Sequence, residues 1–172
     1  MLMTRDAVII PEVVVPDGEL PRDLIALRRF AWLLDEAVPI PGTRRRVGLD
    51  AGLGLIPGIG DAIGAILSTW IVIGALRHRV PARKVVRMLF NIIIDLVIGA
   101  LPVVGDVFDF LFEENVMNLD LLFRHRDRTR PPRSLGSIAG AALLVVGVII
   151  ASSLLTIAAF VAGVYWFVRT RF

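Results

Sequence analysis

Carboxylates placed inside apolar stretches are where proton or cation chemistry would be sought, and this chain has four of them at matched positions. Asp50 and Asp61 belong to one stretch, Asp95 and Asp106 to a second. Gly54, Pro57 and Gly60 of the first match Gly99, Pro102 and Gly105 of the second, so the pattern D-x3-G-x2-P-x2-G-D occurs twice. Ionisable groups at membrane depth are costly and normally face a partner, a cavity or an ion. Asp50 and Asp95 each precede their proline by seven residues and have a polar residue one turn upstream, Arg46 and Asn91. Two uses follow. Each acid clamps backbone donors at the other repeat's break, or Asp50, Asp95 and Asn91 form a cation or proton site where the repeats meet.

The break itself has a simple physics. Pro57 and Pro102 cannot comfortably continue the preceding helix. Gly60 and Gly105 are free to take the positive φ of a tight reversal, and Asp61 and Asp106 suit the cap of the following helix. Asp106, Asp109 and Glu113 share one helix face, a set of oxygens that could hold Mg2+ or Ca2+ or equally form a solvated face. Asn115 and Asn118 add a polar stripe before Leu119, Leu121 and Leu122, so 110–123 is expected to leave the membrane or line a watery interior.

Enzyme chemistry has no foothold here. The chain has no cysteine, so thiolate ligands, thiol nucleophiles and disulfides are excluded. Neither His78 nor His125 is near a plausible nucleophile, and no nucleophile elbow, zinc-protease motif or P-loop occurs. Paired aspartates can cut peptide bonds inside membranes, but nothing beyond the pair supports that here. The protein is expected not to be an enzyme.

The elements that must position these residues are helical and apolar. Of the 172 residues 56% are hydrophobic, and the mean hydropathy is +0.74. Residues 135–168 carry no charge and would reach roughly 50 Å as one helix, more than a bilayer core requires. They are read as one long tilted span, with a hairpin turning at Ser152-Ser153 as the lesser alternative. Residues 1–20 read as a loose arm, and no secretory leader is expected there. Residues 21–43 read as an amphipathic helix and linker, with Leu24, Leu27, Ala31 and Leu34 at helical spacing and Asp35 among its surface charges. Residues 44–82 and 83–125 form the two repeats, and 126–134 a basic loop.

Charge placement supplies a topology. Of the 19 basic residues only Lys84 is a lysine. Arg44, Arg45 and Arg46 precede the first repeat, Arg83, Lys84 and Arg87 open the second, and 124–133 follow it. Cytoplasmic loops are normally basic, so both repeats are expected to be re-entrant helical hairpins with their ends in the cytoplasm, against anionic lipid. The expected fold class is an all-α membrane protein. It comprises two pseudo-symmetric broken-helix repeats, an N-terminal amphipathic helix and a C-terminal transmembrane helix. A soluble four-helix bundle over 21–125 with a C-terminal anchor is the alternative. The basic clusters flank membrane segments, so no nucleic-acid partner is expected.

The repeat region also carries a resemblance. The elements IPGT, GLD, IPGIGD, N-x3-D, P-x2-GD-x-FD and N-x2-N come in this order over about 30–123. In this the chain resembles a DUF4112-like family of small prokaryotic and fungal proteins of unknown function. The resemblance implies membrane association and brings no activity, cofactor or partner.

Three functions are carried forward. The first is an oligomeric cation- or proton-handling protein, binding a monovalent or divalent cation through the aspartates. The second is a non-catalytic membrane scaffold or curvature module. The third binds anionic lipid or a protein partner through the basic loops. Small-xxx-small pairs such as Ala159-x3-Gly163 suit a homo-oligomer. The expected location is a bacterial inner membrane.

Overall fold

The structure is a computed structural model, and it describes residues 20–39, 41–42, 46–49, 59–101, 105 and 113–171. Among these, five helices carry the fold. Helix α1 is Arg22–Asp35, α2 Ile59–Arg77, α3 Ala82–Gly99, α4 Glu114–His125 and α5 Leu135–Arg171. Leu24, Leu27, Ala31 and Leu34 bury one stripe of α1, as their spacing requires. Pro21 and Pro81 stand just before α1 and α3, where a missing N–H costs nothing.

The linker after α1 holds a feature that the sequence did not suggest. Strands β1, Val38–Pro39, and β2, Arg46–Val47, pair antiparallel with Val38 opposite Val47. Gly42 lies between them at φ +80°. The returning chain reaches Gly48, whose backbone rests on the end of α1. A methyl group there would overlap the Leu34 carbonyl, so only glycine fits without a shift.

Helices α2 and α3 are joined by a tight turn. Val80 N–H donates to the Ala75 carbonyl at 3.0 Å and His78 N–H to Gly74 at 2.9 Å. Arg79 sits at φ 59° in the left-handed region that such helix ends use.

Hydrogen bonds fix how the helices run. Asp127 N–H donates to the His78 carbonyl at 2.9 Å, which brings the end of α4 to the end of α2. Arg133 N–H donates to the Arg77 carbonyl at 2.9 Å, which starts α5 at the same place. The start of α1 joins them through Asp23 and His78. Thus α2 and α4 end, and α1, α3 and α5 begin, at one end of the bundle.

The core lies between these helices. Leu24, Ile71, Met88, Ile92, Leu119 and Leu122 are fully buried, and Val145 and Ile149 of α5 close it. Gly74 admits Leu27 from α1, since a methyl group there would collide with that side chain. Helix α4 is central: eight of its twelve residues are buried, Asn115 and Asn118 among them. The expected solvated stripe is therefore interior over the described part, 113–123.

Helix α5 runs unbroken for 37 residues, so the chain does not turn at Ser152-Ser153. It buries only Ile138, Val145, Ile149 and Ser153. It is the one helix among the described residues that is long and apolar enough to cross a membrane. Helix α3 exposes Val86, Phe90, Ile94 and Val97 along one face, and α2 exposes Ile63, Ile66 and Trp70. The part of the first repeat that precedes its break, 44–56, lies mostly outside the described residues.

Candidate functional site

The buried polar groups are organised around α4. A helix start leaves N–H groups without intrahelical partners. Glu113, the residue before α4, makes no side-chain cap. Asp35, 4% exposed at the end of α1, supplies one instead: its carboxylate accepts Val116 N–H at 2.9 Å and Asn115 Nδ2–H at 2.7 Å. A negative charge is unfavourable at its own helix's C-terminus and favourable at the N-terminus of α4. Asp35 is thus a buried tie between two helices and not one of the surface charges of α1.

One turn on, Asn118 accepts from Asn91 Nδ2–H at 2.8 Å and donates to the Met88 carbonyl at 3.3 Å. This pair binds α4 to α3. Asn91, expected as the polar neighbour one turn before Asp95 in a clamp or cation site, has its amide bonded to Asn118 of the same repeat segment. Asp95 is half-buried one turn past Asn91 on α3. Nearer the start of α4, Ser68 Oγ is within hydrogen-bond distance of both the Gly64 carbonyl and the Glu114 carboxyl.

The break residues differ from expectation in two ways. Gly60 and Asp61 lie inside the first turn of α2, so Asp61 is a first-turn acid and not the residue before the helix. Gly105 has no positive φ. Its N–H donates to the Leu101 carbonyl at 2.6 Å, and a methyl group on it would overlap the Gly99 carbonyl. Close packing against the Gly99 backbone, and not a left-handed turn, is what requires glycine at 105. Asp50, Pro57, Pro102, Asp106, Asp109, Arg44 and Arg45 lie outside the described residues. Glu113 is half-buried before α4, and no group of three His, Asp or Glu among the described residues could hold a metal ion.

The second feature is the end where the helices converge. Arg83, Lys84 and Arg87 open α3 there, with Arg77 and Arg79 at the preceding turn and Arg124, Arg126, Arg128, Arg130 and Arg133 around α4 and the start of α5. His78, 4% exposed, donates Nε2–H to Asp23 Oδ2 at 2.9 Å, and Arg77 reaches the same oxygen at 3.3 Å. Burial works to raise the pKa of the Asp23 carboxyl, but His78, Arg77 and the Leu24 N–H outweigh it and hold it below the usual value. Thr129 holds the Asp127 carboxyl low through two hydrogen bonds, from its hydroxyl at 2.6 Å and its N–H at 2.9 Å. Burial, and next Arg128, lower the pKa of the Arg126 guanidinium.

None of Asp23, Asp35, Ser68, His78 and Glu114 stands out in the sequence as a site residue. Each is recognisable only once helices from distant parts of the chain are side by side. A family model described as Domain of unknown function (DUF4112) matches residues 24–125, which takes in α1 to α4 and leaves α5 outside. No curated protein and no solved structure matches the chain.

Proposed function

Because the chain belongs to the DUF4112 family, a domain of unknown function, its own geometry has to carry any functional reading, and we propose a non-catalytic membrane scaffold. In this reading α5 crosses the bilayer, α2 and α3 lie beside it with their exposed apolar faces in lipid, and the bundle presents a cationic face to the cytoplasm. The observation that carries it is the convergence of the arginine-bearing ends of all five helices at one end of the bundle. Cytoplasmic faces of membrane proteins have this bias. The opposite end of α5 carries Tyr165 and Trp166, residues that favour the other interface, before Arg169 and Arg171. Self-association through Ala159-x3-Gly163 belongs to the proposal, since both residues are exposed.

The absence of cysteine makes the test clean. Thr129→Cys and Thr170→Cys, each alone, are treated with a membrane-impermeant maleimide in right-side-out bacterial vesicles. Thr170→Cys is expected to label at once and Thr129→Cys only after permeabilisation. Immediate labelling of both sinks the orientation. Proteoliposomes should pass protons and K+ no faster than empty vesicles.

Cation or proton handling is the second reading, and one observation favours it. Glu114 is 2% exposed, and Ser68 has one hydrogen to share between that carboxyl and the Gly64 carbonyl. A protonated Glu114 would donate to Ser68 and leave the serine hydrogen for Gly64. Flux in wild type that disappears in a folded Glu114→Gln or Asp95→Asn protein would replace the scaffold reading with this one.

A further inference from the structure

We infer that the cleft between the His78 turn and residues 126–132 binds the phosphate of an anionic phospholipid. The inference rests on the membrane-embedded reading. The cleft holds about 340 Å³ and is lined by His78, Arg126, Asp127, Arg128, Arg130 and Pro132. That is room for about ten waters, enough for a phosphate and part of its glycerol ester.

Three features make it an anion site and not merely a basic surface. First, Arg126 and Arg128 both line the cleft, and the planar guanidinium fork matches a phosphate's oxygens. Second, Arg126 and Arg128 repel one another, and the nearby carboxylate, Asp23, is already shared by His78 and Arg77. An anion between the two arginines relieves that repulsion. Third, the walls are held in place before any ligand arrives. Asp127 N–H is bonded to the His78 carbonyl, and the Asp127 carboxylate is engaged by Thr129, with Arg130 Nε 3.8 Å away. That carboxylate opposes an incoming anion, and these contacts offset part of its charge.

A lipid is favoured over free phosphate by what lies on the other side of the Asp23–His78 pair. A second cleft of about 240 Å³ begins at Asp23 and Arg77 and continues along Leu27, Phe30, Trp70 and Leu135. A headgroup in the first cleft leaves its acyl chain beside an apolar groove. Leu135 begins α5, so both clefts sit where the membrane-crossing helix starts.

The test uses the full chain purified in detergent, titrated with phosphatidylglycerol, phosphatidylcholine or inorganic phosphate. Retained lipid is read by native mass spectrometry and stability by thermal melting. Wild type should keep one phosphatidylglycerol and melt several degrees higher with it. Arg126→Gln and Arg128→Gln should each weaken this at least tenfold, while Arg83→Gln, outside the cleft, should not. Arg128 is exposed, so its variant guards against a misfolded Arg126→Gln. Undiminished phosphatidylglycerol binding by both variants overturns the site, and equal retention of phosphatidylcholine overturns the anionic selectivity. Inorganic phosphate that matches the full melting shift overturns the lipid assignment. Arginine-dependent binding alongside failed maleimide topology would leave the site standing and remove the membrane reading alone.

Discussion

Asp35 caps a helix to which it does not belong: its carboxylate takes the Val116 N–H, 81 residues along the chain, at 2.9 Å. The same carboxylate holds Asn115, so α1 and the start of α4 are tied by a buried charge. Asp35→Ala leaves these donors unpaired in the interior and should cost about 1–3 kcal/mol. Asp35→Asn keeps one acceptor oxygen and should cost less. Thermal melting in detergent measures both. An alanine variant as stable as wild type would remove the tie from the account of the fold.

Gly105 offers a sharper contrast, because its need for glycine is steric and not conformational. Gly105→Ala puts a methyl group into the Gly99 carbonyl and should destabilise by about 1–3 kcal/mol as the backbone moves apart. Gly140→Ala in α5 meets nothing within 4 Å and should be neutral or slightly stabilising. Equal melting temperatures for the two variants would contradict the backbone contact.

The basic end should respond to acid. The Asp23 carboxyl is held below its ordinary value of 3.8, so it binds its proton less readily folded than unfolded. Its stabilisation is present above that value and is lost as pH falls through the folded value. Melting curves from pH 6 down to pH 3 should show wild type losing stability below about pH 4. Asp23→Asn should start lower and fall less across the same window. Parallel curves would mean that the His78 and Arg77 contacts contribute no pH-dependent stability.

How far the sequence reaches can be judged residue by residue. The stripe of α1 and the length of α5 are local patterns, and both are visible without a structure. The paired glycines are visible too, but their role is not: contact between Gly99 and Gly105 is a fact about two backbones, while the sequence suggests only turn geometry. Asp35 reads as a surface charge because the α1 pattern says nothing about which helix covers its last turn. His78 lies between two arginines, the usual setting of a solvent loop, yet the tight turn after α2 carries it inward to Asp23. Asn115 and Asn118 look solvated for a similar reason. Their acceptors and donors, Asp35, Asn91 and the Met88 carbonyl, come from other helices. The two-residue strands are too short to leave any alternation to read.

Helix α5 lies outside the stretch that the family model matches, yet it runs along α2 and seals the core with Val145 and Ile149. The family's portion of this chain is therefore expected to need a cover for the apolar side of α2, which α5 supplies here. Hydrocarbon tails can shield it as well as α5 does. A piece ending before Leu135 should consequently clump in buffer and fold in micelles, which makes the surrounding medium an interchangeable substitute for the last helix.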